Sequence, residues 1–139
     1  MMSELKTVVV VNDDRTILEL MRDILGYEGY RVVVAEDASQ AYHLIQARPP
    51  SLAILDVRMP GSPDWQTLDL LKRDPSTASV PVLVCSASAR EMQEAEVAIR
   101  ARGCDLLYMP FEIDDLLEKV GQLTRIGATP PPINPDGRG

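Results

Sequence analysis

Five short runs of consecutive apolar residues, separated by helical patterns, constrain this chain most. They are Val8-Val9-Val10-Val11, Arg31-Val32-Val33-Val34-Ala35, Leu52-Ala53-Ile54-Leu55, Val80-Pro81-Val82-Leu83-Val84-Cys85 and Leu106-Leu107-Tyr108. The runs are continuous rather than alternating, which is how a parallel strand covered on both faces reads. Pro81 suits only the first residues of its strand. Between the runs, Ile17, Leu20, Met21, Ile24 and Leu25 recur at helical spacing, and Ile113, Leu116, Leu117 and Val120 repeat the pattern. Weaker helical stretches cover 38–48, 65–73 and 89–102. Asp37-Ala38-Ser39 reads as a helix start, and Pro49-Pro50 and Gly103 as helix ends. Strand and helix thus alternate five times, which predicts an α/β fold: a doubly wound five-stranded parallel sheet with helices on both faces.

In the flavodoxin-like strand order, 2-1-3-4-5, strands 1 and 3 are neighbours at the switch point, and ligands sit at the strands' carboxyl ends. The 139 residues, 45% hydrophobic and 25% charged, suit one globular domain. Pro130, Pro131, Pro132 and Pro135 with Gly137 and Gly139 mark a Pro/Gly-rich disordered tail over 127–139, leaving a folded body over 1–126. Net charge −7 argues against nucleic acid and against an anionic membrane surface as partners. No apolar stretch reaches the ~18 residues of a membrane span, and the N-terminus lacks a signal segment. Cys85 and Cys104 lie in apolar surroundings and read as buried free thiols of a reducing cytoplasm. His43, the single histidine, reads as a surface residue.

The strand ends carry the chemistry. Strand 1 ends in Asn12-Asp13-Asp14, strand 3 in Asp56, strand 4 in Ser86 and strand 5 in Met109-Pro110-Phe111. The topology brings all four to one edge, with Asp13 and Asp56 in reach of one hard cation such as Mg²⁺. A carboxylate beside Mg²⁺ can accept a phosphoryl group, and the Ser86 hydroxyl could bind a phosphoryl oxygen. Each piece has a plainer reading. Asn12-Asp13-Asp14 could simply cap the first helix, and Ser86 could be a loop hydroxyl.

These residues resemble the receiver domains of two-component response regulators. The resemblance is carried by Val9-Val10-Val11-Asn12-Asp13-Asp14, by Asp56-Val57-Arg58-Met59-Pro60-Gly61, by Val80 through Ala87, and by Gly103-Cys104-Asp105 with Met109-Pro110-Phe111. It implies that Asp56 accepts a phosphoryl group from a sensor histidine kinase or phosphotransfer protein. It implies that Asp13, Asp56 and the backbone carbonyl of Arg58 hold Mg²⁺, with Asn12 or Asp14 acting through water. Ser86 and Ala87 would bind the phosphoryl group and switch. The altered face of the fourth helix, fifth strand and fifth helix would then bind an unknown output protein or a second copy, forming a homodimer. The chain would work in the cytoplasm as a stand-alone module without enzymatic activity, ending too soon after the fifth helix for an output domain.

Four departures from the family stand out. Asn12 replaces the first acid. Met109 replaces the Lys before the Pro after strand 5, and Met offers no donor and no charge. Two carboxylates without a cation leave the same net charge as the family's three acids with one Lys. Leu106 stands at the aromatic switch position, and Tyr108 reads as a plain core or surface residue. Asp64 stands where a Gly is usual, in a turn before Trp65. Two functions therefore stay open: a phosphoacceptor receiver, and a pseudo-receiver adaptor independent of phosphorylation. A dehalogenase-type phosphatase would need Asp-x-Asp after strand 1, and a nucleotide domain a Gly-rich loop there; neither is present.

Overall fold

The structure, a computed structural model, describes residues 5–56, 63–86 and 96–127. The chain alternates β1 (Thr7–Val11), α1 (Arg15–Tyr27), β2 (Arg31–Ala35), α2 (Ala38–Ala47), β3 (Leu52–Asp56), α3 (Pro63–Arg73), β4 (Val82–Ser86), α4 (described over 96–101), β5 (Asp105–Tyr108) and α5 (Ile113–Gly127). The sheet has the expected order, β2-β1-β3-β4-β5, with every neighbouring pair parallel.

Strand side chains alternate between two cores, which is why every run is apolar throughout. On one face Val8, Val10, Ile54, Leu83 and Cys85 pack with Leu18 and Leu25 of α1 and with Leu116 and Val120 of α5. On the other, Val9, Val11, Leu55, Val84 and Leu106 lie under Ile45 of α2, Leu68 and Leu71 of α3, and Ile99 of α4. Burying each Leu or Ile fully contributes roughly 1.5–3 kcal/mol.

The element ends follow local hydrogen bonding. β4 starts at Val82, later than its apolar run, because the Val80 N–H closes a turn on the Thr77 carbonyl at 3.0 Å. Pro81 has no N–H, and only its carbonyl serves the sheet, accepting from Ala53 N at 3.0 Å. Helices α1 and α4 close alike. Gly29 (φ 95°) and Gly103 (φ 75°) take the left-handed conformation, and Tyr30 N and Cys104 N reach back to the Leu25 and Ile99 carbonyls.

The Asp64 expectation needs correcting. The turn does not include it: α3 begins at Pro63, where a missing N–H costs nothing, and Asp64 is its second residue. No non-glycine among the described residues has positive φ. Helix α5 runs through Gly127, and the rest of the expected tail lies outside the described residues. Among the described residues no helix is long and apolar enough to cross a membrane. His43 is exposed, tilted against the Tyr42 ring at 5.9 Å, as read from the sequence.

Asp37 is the N-cap of α2, accepting from Gln40 N at 2.8 Å while the Gln40 side chain accepts from Glu36 N at 3.1 Å. Asp37→Ala is expected to lower stability by about 1 kcal/mol, read as a lower urea midpoint with an unchanged slope.

Both cysteines are buried and free. Burial, and secondarily the Asp56 carboxylate, push the Cys85 thiol up to about 12. Burial pushes Cys104 up to about 11 against the pull of Lys72 and Arg102. Neither thiol is expected to react with iodoacetamide in the folded protein at mildly alkaline pH, whereas both should react after urea unfolding. Rapid labelling of the folded protein, read by mass spectrometry, would contradict this.

Candidate functional site

The strand register assembles the acidic edge. Val11 pairs with Leu55, so the next residues, Asn12 and Asp56, come level on adjacent strands, about 4.8 Å apart. Asp56 closes β3 and pairs with Cys85, so Ser86 lies one residue beyond, and Ser86 in turn pairs with Tyr108. Asn12, Asp56 and Met109 fall on the strand parity of the α1–α5 face. Asn12 is buried, Asp56 half-buried and Asp13 exposed.

Helix capping divides the Asn12-Asp13-Asp14 triplet. Asn12 Oδ1 accepts from Asp14 N at 2.8 Å, bending the chain out of the strand. Asp14 is the N-cap of α1, accepting from Thr16 N at 2.9 Å. The capping reading thus holds for Asp14, whose carboxylate is committed to the helix end, while Asp13 stands between the strand and the cap. Asp13 and Asp56 both have interaction partners in the structure.

Arg58 and Ala87 lie outside the described residues, as do Met59, Pro60 and Gly61; Ser86 is described only as the last residue of β4. Among the described residues, no group of three or more His, Cys, Asp or Glu forms that could hold a metal. The edge offers two carboxylates, Asp13 and Asp56, with the Asn12 amide oxygen beside them. All are hard oxygen donors, the kind that suits Mg²⁺, which often takes one or two carboxylates and completes its shell with water and phosphate. The donors therefore fit that ion in kind.

Met109 is half-buried and packs with Leu107 and Phe111 against the α1–α5 core. Leu106 is 4% exposed and belongs wholly to the opposite core.

Tyr108 packs half-buried against the core, as expected, and adds a contact the sequence did not show. It shares the face of Leu106 one strand repeat nearer the edge, and its hydroxyl donates to Glu96 Oε1 of α4 at 2.9 Å. The Arg100 guanidinium, donating to Glu96 Oε2 at 2.9 Å, and then the Tyr108 hydroxyl hold the Glu96 carboxyl below its ordinary range. Reciprocally, Glu96 raises the Tyr108 phenol. These contacts tie Glu96 of α4 to β5. Only the i,i+4 spacing of Glu96 and Arg100 was a sequence signal for this cluster.

The same cluster continues into α5. Asp105 accepts from Lys119 Nζ at 2.9 Å and lies 3.5 Å from the Arg100 guanidinium. Burial raises its carboxyl, but Lys119, the Leu106 N–H and Arg100 outweigh that and leave it below the usual range. A depressed folded value means Asp105 stabilises the fold fully above about pH 4, with the gain lost as pH falls through the folded value. Lys119→Met is expected to flatten this acid limb, measured as the change in melting temperature on acidification.

Trp65 is 6% exposed, with Arg102 stacked 5.2 Å from its ring centroid and no hydrogen-bond partner for its Nε1 among the described residues. Arg102 also donates to Asp69 at 2.6 Å, bracing α3 against the segment after α4.

A doubly wound 2-1-3-4-5 sheet with acids at its switch point defines a flavodoxin-like α/β domain with an anionic carboxyl edge. Residues 8–121 match the family model of the response regulator receiver domain, and the chain belongs to that family. It is 30% identical over 120 residues to the phosphate regulon transcriptional regulatory protein PhoB of Pseudomonas aeruginosa, covering 86% of this chain and 52% of that protein. It is 36% identical over 106 residues to the response regulator GtcR of Aneurinibacillus migulanus, covering 76% and 42%. The chain spans about half the length of the curated relatives it matches. Among solved structures, a CheY-like receiver domain protein from Methanospirillum hungatei superposes with TM-score 0.79 at 26% identity, covering 89% of this chain and 97% of that one. A putative response regulator from Chloroflexus aurantiacus gives 0.77 at 28%, covering 87% and 98%.

Proposed function

We propose that this receiver domain accepts a phosphoryl group on Asp56 from a phosphohistidine of a sensor kinase or phosphotransfer protein. The observation that carries it is the register that sets Asp56 at the end of β3, half-buried, level with Asn12 and beside Ser86 at the strand ends. An Asp56 carboxylate oxygen attacks phosphorus, the P–N bond breaks, and the departing imidazole takes up a proton. Asp13 and Asp56, with the Arg58 carbonyl, would hold Mg²⁺, which neutralises charge on the transferring group. Ser86 and the neighbouring Ala87 N–H would bind the phosphoryl oxygens. The reading makes the domain a cytoplasmic signalling module rather than an enzyme, which hands its signal to an output protein or a second copy across α4, β5 and α5.

A second reading, the phosphorylation-independent adaptor, is favoured by Met109, which fills the Lys position with apolar packing. The two separate on a phosphate-affinity gel with a small phosphodonor and Mg²⁺. A shifted band for the wild type supports the phosphoacceptor, and an unshifted band under every donor leaves the adaptor. Trp65 supplies a second readout: beryllofluoride with Mg²⁺ should change its emission through the α3–α4 core in which it is buried.

A further inference from the structure

Far from the acidic edge, at the amino ends of β1 and β2, lies a cleft of about 330 Å³. Arg31, the first residue of β2, and Arg48, the C-cap of α2, converge on it from segments seventeen positions apart. Thr7 and Ser51 add hydroxyls, and their backbones are fixed by the 2.8 Å bond from Ser51 N to the Thr7 carbonyl. Among the described residues no carboxylate lines the cleft, although the chain carries net charge −7. Neither guanidinium has an ion pair among the described residues. An adjoining lobe of about 160 Å³ shares both arginines and is floored by Val9, Val33 and Leu44.

Two guanidinium forks match the oxygens and double charge of a phosphate monoester better than those of a monocarboxylate. The apolar lobe suits a hydrophobic body on the same molecule. We propose that this cleft binds a small phosphomonoester bearing an apolar group, held through its phosphate by Arg31 and Arg48. The site is independent of the reading of Asp56.

The test is calorimetric titration of the full chain with phenyl phosphate at constant ionic strength, with EDTA present so that the acidic edge holds no metal. Saturable binding is expected, about tenfold weaker for inorganic phosphate and for phenol alone. Arg31→Gln with Arg48→Gln should weaken it by about tenfold or more. Arg31→Lys keeps the charge and loses the fork. It should weaken binding severalfold without moving the melting temperature, which keeps the test valid where the double variant folds poorly. Absence of saturation, equal binding of inorganic phosphate, or undiminished affinity in the arginine variants would each overturn the proposal.

Discussion

Asp56→Asn is expected to reduce phosphoryl incorporation to background while leaving the fold intact. An amide in this position keeps the size and hydrogen-bonding shape of the carboxylate but lacks the anionic oxygen that attacks phosphorus. Asp13 cannot replace it, because it is exposed and lies beyond the end of its strand, whereas Asp56 is held by sheet pairing to Cys85. The substitution also removes one negative charge from an edge that holds Asp13, so the melting temperature should stay level or rise. Phosphate-affinity gels and melting curves on the same preparations measure both halves. Full incorporation in the variant would place the acceptor elsewhere and remove the proposed function.

Met109→Lys is expected to raise the equilibrium constant for phosphorylation by about one to two powers of ten. A charge-assisted hydrogen bond contributes about 1.5–3 kcal/mol, and each 1.4 kcal/mol is tenfold. Met109 is half-buried on the face parity of Asp56, so a Lys stem can follow the same apolar path against Leu107 and Phe111 and lift its ammonium to the edge. The same change should weaken Mg²⁺ binding, since it adds a cation where Asn12, Asp13 and Asp56 already supply one acid fewer than the family pocket. The double variant Met109→Lys with Asn12→Asp should recover the metal affinity. Opposite movements of the two quantities separate direct phosphoryl contact from a general electrostatic effect. A Lys variant that gains nothing would mean that the missing cation is not what limits this site.

The sheet and its acidic edge were legible because the signals are local. Five continuous apolar runs can be read one at a time, and their order leaves few topologies; Asp56 follows directly from being the polar residue that ends one of them. Helix ends were legible where glycine or proline marks them, as at Gly103. Asp64 was misread because a loop motif was extended past Pro63, whose preference for the first helical position is the stronger determinant. The Tyr108 contact was not legible because its hydroxyl finds its partner, Glu96, on a different element twelve residues away. The cleft at Arg31 and Arg48 had no signal at all, since neither arginine belongs to a motif and only the β1–β2 register and the end of α2 bring them together.

The purely parallel pairing also bears on how this protein reaches its fold. With no hairpin in the sheet, every strand partner lies more than twenty residues away, and β1 with β3 closes the widest loop, Val8 meeting Leu52. Loop closure of that kind must precede its reward, which makes folding slow relative to helical bundles of similar stability. The strand pair that closes the widest loop is also the one that brings Asn12 level with Asp56. A nascent chain therefore cannot assemble this acidic edge until β3 has emerged and docked beside β1.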